Sequence, residues 1–130
     1  DQVCGNLFDK TPYAYAKAVE WTGREAEYEK RAGFAMMAWL AVHDKKAEDE
    51  QFLVFLPLIK QHATDKRNFV KKAVNWALRQ IGKRNLALNK KAIRCAKEIL
   101  ELDSKAAQWV AKDALKELTR EKQQIKLAGK

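Results

Sequence analysis

Apolar residues recur every three or four positions along almost the whole chain, and no stretch keeps the alternation of a half-buried strand. That pattern restricts the fold to packed helices. Only two prolines and five glycines interrupt it, and a 47% hydrophobic share supplies the faces such helices must bury. The punctuation is equally helical. Thr11-Pro12 predicts a helix to about Trp21, with proline where its missing N–H costs nothing. Thr22-Gly23 breaks it, and the next helix is expected from about Glu25 to His43, acidic in its first turn as the helix dipole favours. Its stretch Ala32 to Val42 is apolar on every side, so this helix should be central. A third is expected from Glu48 to His62, kinked or split by Pro57. Asp65 is the expected cap of a helix over 66–84, with Gly82 loosening its end. Asn89 is expected to cap one reaching Leu102, and Ser104 one reaching Arg120 before a polar tail.

About six helices result, and they echo one another. Lys30-Arg31-Ala32 lies 41 residues before Lys71-Lys72-Ala73, and Ala77-Leu78 lies 37 residues before Ala114-Leu115. A helix-pair repeat near that spacing predicts an all-α, HEAT-like superhelix, with a plain helical bundle as the alternative. The 130 residues suit one domain or part of one. Cys4 and Cys95 are too few for a disulfide scaffold or a cysteine-based zinc site and suit a reduced, cytoplasmic setting. No apolar run has the length of a membrane span, and no signal peptide is visible. His43 and His62 fall near helix C-termini, where the dipole favours imidazolium, and neither has a ligand-spaced partner, so no metal is expected. Cys95 aligns with Ala92, Ala96 and Ile99 and reads as a core residue.

Charge is distributed unevenly. The net is +9, yet residues 1–59 carry 7 Lys+Arg against 10 Asp+Glu, whereas residues 60–130 carry 19 against 7. A second half with a net of +12 calls for a polyanionic partner, nucleic acid foremost. On a helical wheel of residues 66–84, Val70, Val74, Ala77, Leu78 and Ile81 form the core stripe, and Lys72, Trp76, Arg79 and Lys83 share a narrow opposite sector. Large aromatics normally go inside. A tryptophan among cations instead offers a flat π surface for a base or sugar, with phosphate partners beside it. The structural alternative has Trp76 packing on a neighbouring helix with Arg79 stacked over it. Arg31, four residues after Glu27, reads from composition as an exposed ion pair. Trp109 lies off the stripe of its own helix and is expected to cover the preceding one, while Trp21 and Trp39 read as core or capping aromatics.

The segment F-V-K-K-A-V-N-W-A-L-R-Q-I-G-K-R-N, Phe69 to Asn85, closely resembles the hallmark helix of the AlkD-like DNA alkylation repair family. Arg31-Ala32 and the stretch Trp109 to Leu118 support the resemblance, and Asp1 to Phe8 is similar to the family's segment around its catalytic aspartate. The likeness runs over essentially all 130 residues and matches the C-terminal half or somewhat more of a member; with no initial methionine, the chain is expected to be the C-terminal portion of a longer one. The resemblance implies a HEAT-like solenoid whose basic surface cradles duplex DNA. It also implies a monofunctional glycosylase that excises cationic alkylated purines such as 3-methyladenine and 7-methylguanine, with no metal or cofactor and no flipping of the lesion. By position, Trp76 matches the tryptophan that contacts the lesion nucleotide, Arg79 and Arg31 match arginines that hold DNA, and Lys72 and Lys83 would add phosphate contacts. Asp1 matches the catalytic aspartate, with Asp9 as the second candidate, and the family's tryptophan four residues upstream of that aspartate has no counterpart in the chain. The expected protein is a monomeric glycosylase acting on double-stranded DNA that contains alkylated bases. A non-catalytic DNA-binding module and a helical protein–protein adaptor are the alternatives, the latter kept open by the acidic first half.

Overall fold

Proline at position 12 stands in the first turn of α1 (Pro12–Thr22), where a residue without an N–H breaks no hydrogen bond. The computed structural model describes residues 12–44 and 47–128. After α1 come α2 (Glu27–His43), α3 (Asp49–Leu53), α4 (Phe55–His62), α5 (Asn68–Gly82), α6 (Leu86–Leu100), α7 (Lys105–Leu118) and α8 (Glu121–Ala128). The described residues contain no strand.

The helix expected over 48–62 is two helices that meet at Val54. Pro57 thereby falls in the first turn of α4 instead of a helix interior. Two expected caps move. Asp65 does not cap α5, whose N-cap is Arg67; its carboxylate accepts from the Arg67 backbone N–H at 3.0 Å and from the guanidinium at 2.8 and 3.1 Å. Asn85, not Asn89, caps α6 by accepting from Leu88 N at 2.8 Å. Asn89 is buried instead, and its amide donates to Gly82 O at 3.0 Å and Leu118 O at 3.4 Å. A buried amide must find partners, and here it ties the ends of α5 and α7 together. Ser104 caps α7 as expected, accepting from Ala107 N at 3.2 Å. The expected polar tail contains α8, which packs on α6 and α7 and buries Leu127.

The helices stack as pairs. α1 packs on α2, α4 on α5, and α6 on α7; the second helices α2, α5 and α7 touch in sequence, as do the first helices α1, α4 and α6. The result is a two-layered array of the α-solenoid kind, in which each pair covers the apolar face its neighbour exposes. The sequence echoes fall on α2, α5 and α7, the three equivalent helices of one layer. As expected, α2 is central, burying Phe34, Met36, Met37, Ala38, Leu40 and Ala41. Tyr15, Phe52 and Phe55 join α1 to α3 and α4, with ring centroids 5.8 to 5.9 Å apart.

Two glycines mark where helices come closest. A Cβ on Gly33 would lie 2.8 Å from Thr22 N and 2.9 Å from Ala18 O, so only glycine allows α2 to approach the α1 backbone this closely. Gly82 has ordinary helical backbone, and a Cβ there would meet Leu118 Cδ2 at 2.5 Å and Ala92 Cβ at 3.1 Å. It allows the close packing of α5, α6 and α7 and does not loosen the helix end. Arg84, just beyond α5, reaches back to the C-terminal end of α2. It donates to the carbonyls of Ala41 and Asp44 at 2.9 Å each and of Ala47 at 3.2 Å, and its guanidinium lies 4.2 Å from the Phe52 ring centroid.

Candidate nucleic-acid interface

The layer of α2, α5 and α7 presents its outer side to solvent, and large aromatics interleave there with cations. On α5 the core stripe Val70, Val74, Ala77, Leu78 and Ile81 is fully buried, as the wheel predicts. On the opposite side Lys72 is exposed and Trp76 keeps 38% of its surface in solvent. Phe69, two turns before Trp76, is 55% exposed on the same side. On α2, Tyr28 is 75% exposed, and the Arg31 guanidinium lies 5.5 Å from the Phe69 ring centroid and 6.0 Å from that of Tyr28. Arg31 therefore does not form the ion pair with Glu27 that composition suggested; it spans two rings and bridges α2 to α5. On α7, Trp109 is 40% exposed and receives the Lys71 ammonium 4.8 Å from its centroid. That contact joins Trp109 to α5, not to the preceding helix α6 as expected. Trp21 and Trp39 are half-buried against the core, and Trp39 stacks on His43 at 4.1 Å.

Arg79 and Lys83 point along the same side of α5, but toward α7. Arg79 donates through Nη1 to Glu117 at 2.8 Å and through Nε to Asn75 at 2.7 Å, with an Asp113 oxygen 3.8 Å away. Arg79 is not stacked over Trp76, as the structural alternative required. Lys83 pairs with the other oxygen of Glu117. Burial would raise the Glu117 carboxyl, yet the hydrogen bonds from Lys83 and Arg79 outweigh it and hold the group below its ordinary range. Asn75 is buried and donates to Val110 O at 3.1 Å, which fixes α5 against α7 beneath these charges. Trp76, Lys72 and Arg31 are thus exposed, whereas Arg79 and Lys83 are already ion-paired. Asp1 and Asp9 lie outside the described residues.

Several members of this surface escaped sequence reading. Phe69 and Tyr28 were legible, since each sits at helical spacing from a residue already singled out, Trp76 and Arg31. Glu117 was not, because it meets Arg79 across 38 positions of sequence.

A second charged cluster lies elsewhere on the α2–α5 seam. Lys30 is buried 3.8 Å from Asp65, and the hydrogen bonds of Arg67 hold the Asp65 carboxyl below its ordinary value. Beside them His62 packs edge-on to Phe34 at 5.7 Å, and burial, with the Lys30 charge, pushes its imidazole below its ordinary 6.5. The dipole argument for imidazolium at His62 therefore fails, because burial dominates. A group whose native pKa is lowered resists protons that the unfolded chain accepts, so stability falls as pH drops. Stability should decline from just below pH 6.5 through His62, and again below the ordinary carboxyl values of 4.5 and 3.8 through Glu117 and Asp65. Melting temperature followed from pH 8 to pH 3 should show both stages, and His62→Gln should remove the upper one.

Cys95 is buried, its thiol donating to Leu56 O at 3.6 Å, and burial pushes its pKa up to about 12. It is a core residue, as its spacing predicts, and has no thiolate to offer. Among the described residues no His/Cys/Asp/Glu group is arranged to hold a metal ion, and no helix is long and apolar enough to cross a membrane.

A family model described as DNA alkylation repair enzyme matches residues 1–125. No curated protein and no solved structure matches the chain.

Proposed function

The chain belongs to the DNA alkylation repair enzyme family, and on that premise we propose that it is a DNA glycosylase that excises cationic alkylated purines, of the 3-methyladenine and 7-methylguanine type, from duplex DNA. The observation that carries this reading is the solvent-facing series Tyr28, Arg31, Phe69, Lys72 and Trp76 across α2 and α5. Exposed aromatics interleaved with cations suit a sugar–phosphate strand: the cations meet phosphates and the rings lie against sugars or bases. Phosphate contacts of this kind position a duplex without reading its sequence, as a lesion-specific enzyme requires.

The chemistry asks little of the protein. A purine alkylated at N3 or N7 carries positive charge and leaves with the electron pair of its glycosidic bond as a neutral base. The deoxyribose is left as an oxocarbenium ion. Trp76 would stabilise that ion through its π face, and a carboxylate, Asp1 by position, would stabilise it and take a proton as water attacks C1′. Neither a metal nor a cofactor enters this scheme, and the base need not leave the helix.

Two measurements test the reading. The folded protein should release 7-methylguanine from methylated duplex DNA, and it should bind duplex with strong salt dependence. Neither Arg31 nor Lys72 is ion-paired to a described residue. Replacing both by Ala should therefore reduce the slope of log K against log salt by about 2, close to one for each phosphate that is no longer neutralised. Duplex binding without base release would point to a non-catalytic DNA-binding module. An unchanged slope would remove α2 and α5 from the interface.

A further inference from the structure

We propose that the Glu117 carboxylate occupies Arg79 and Lys83 as a stand-in for a DNA phosphate, so that a duplex must displace it to engage either cation. The inference rests on the DNA-binding reading above and adds a residue that sets how readily the surface takes polyanions. Arg79 and Lys83 stand one turn apart on α5 and converge on the two oxygens of one carboxylate, Arg79 Nη1 at 2.8 Å and Lys83 on the other oxygen. Two cations gripping one anion through separate oxygens is also how such pairs hold a phosphate. The cluster is not sealed. The side chains of Arg79, Lys83 and Glu117 retain 27%, 28% and 22% of their surface in solvent, so a strand laid on α5 beside Trp76 reaches them. Asp113, 3.8 Å from Arg79, adds negative charge on the same α7 face.

A purely structural tie between α5 and α7 predicts something different. That seam is held independently by the Asn75 bond to Val110 O and by the buried Asn89. Removing the Glu117 charge therefore leaves the seam closed and ends the hold of this carboxylate on Arg79 and Lys83, while Arg79 keeps its bond to Asn75. As long as the carboxylate stays, it lowers the attraction for any passing polyanion, and only a duplex seated closely enough to replace its two contacts gains Arg79 and Lys83.

Glu117→Gln keeps the shape and removes the charge. Binding of a fluorescein-labelled duplex by anisotropy at low salt should tighten by about fivefold, the size of one partly exposed ion pair. The gain should shrink as salt rises, and it should be equal for methylated and unmodified duplex, since phosphates do not report the base. Binding that is unchanged or weaker in a variant that melts like the unaltered chain overturns the proposal, because a structural tie moves affinity only in that direction. If Glu117→Gln does not fold, Glu117→Asp, which keeps the charge but shortens its reach, is compared in the same way and should tighten binding by a smaller factor. Absence of salt-sensitive duplex binding by the unaltered chain would instead sink the DNA-binding reading, and this proposal with it.

Discussion

Under the proposed glycosylase function, exchanging Asp1 for Asn is expected to lower the rate of 7-methylguanine release from methylated duplex DNA by about 10²–10³-fold, the range seen when one group that stabilises transition-state charge is removed. The side chain keeps its size and loses only its charge. The departing purine already carries the positive charge that general-acid catalysis would otherwise supply, so the barrier lies in the cation left on the sugar. A neutral amide neither stabilises that cation nor accepts the proton of the attacking water. Duplex affinity should change little, because a carboxylate makes no favourable contact with phosphate. Single-turnover release with enzyme in excess separates the two effects, since it reads chemistry without product dissociation. Retention of the full rate would shift the assignment to Asp9, and Asp9→Asn would then be the variant to show the loss.

Arg84→Met is expected to destabilise the fold by about 2–4 kcal/mol, measured by guanidinium denaturation at neutral pH. The guanidinium donates to three carbonyls, those of Ala41, Asp44 and Ala47, at and just beyond the C-terminal end of α2. That end carries the negative pole of the helix dipole, so a fixed cation stabilises it by charge as well as by hydrogen bonding. The same group lies over the Phe52 ring of α3, so one side chain links the pair α1/α2 to the pair α3–α4/α5. Methionine retains most of the apolar stem and none of the donors, which isolates the polar part of the effect. A change below about 0.5 kcal/mol would mean that water satisfies the three carbonyls equally well.

Arg84 also shows where reading a sequence stops. It lies in the segment Phe69 to Asn85, which resembles the family's hallmark helix, yet nothing around it marks carbonyl partners more than 35 residues away. Glu117 on Arg79 and Asn89 between α5 and α7 are likewise unmarked by the residues around them. Each is a polar side chain whose role depends on which helix ends the stacking brings together, and no periodicity encodes that. Trp76 is the opposite case. Its place on the solvent side of α5 follows from helical spacing alone, because the core stripe of that helix is unambiguous. His62 falls between the two: the helix end was legible, but its burial beside Phe34 and Lys30 reversed the effect expected of the dipole.

Local terms thus determined the all-α class, the central position of α2, the splitting of the third helix near Pro57 and the exposure of Trp76 and Lys72. Proline chemistry and a 3.6-residue period act within a few positions, so sequence carries them in full. The stacking of pairs decided the rest: that Arg31 spans Tyr28 and Phe69, that Trp109 faces α5, and that Arg79 and Lys83 are held by Glu117. Those contacts join residues on different helices. Their energies depend on distance in space and on desolvation, and only the assembled array sets either one.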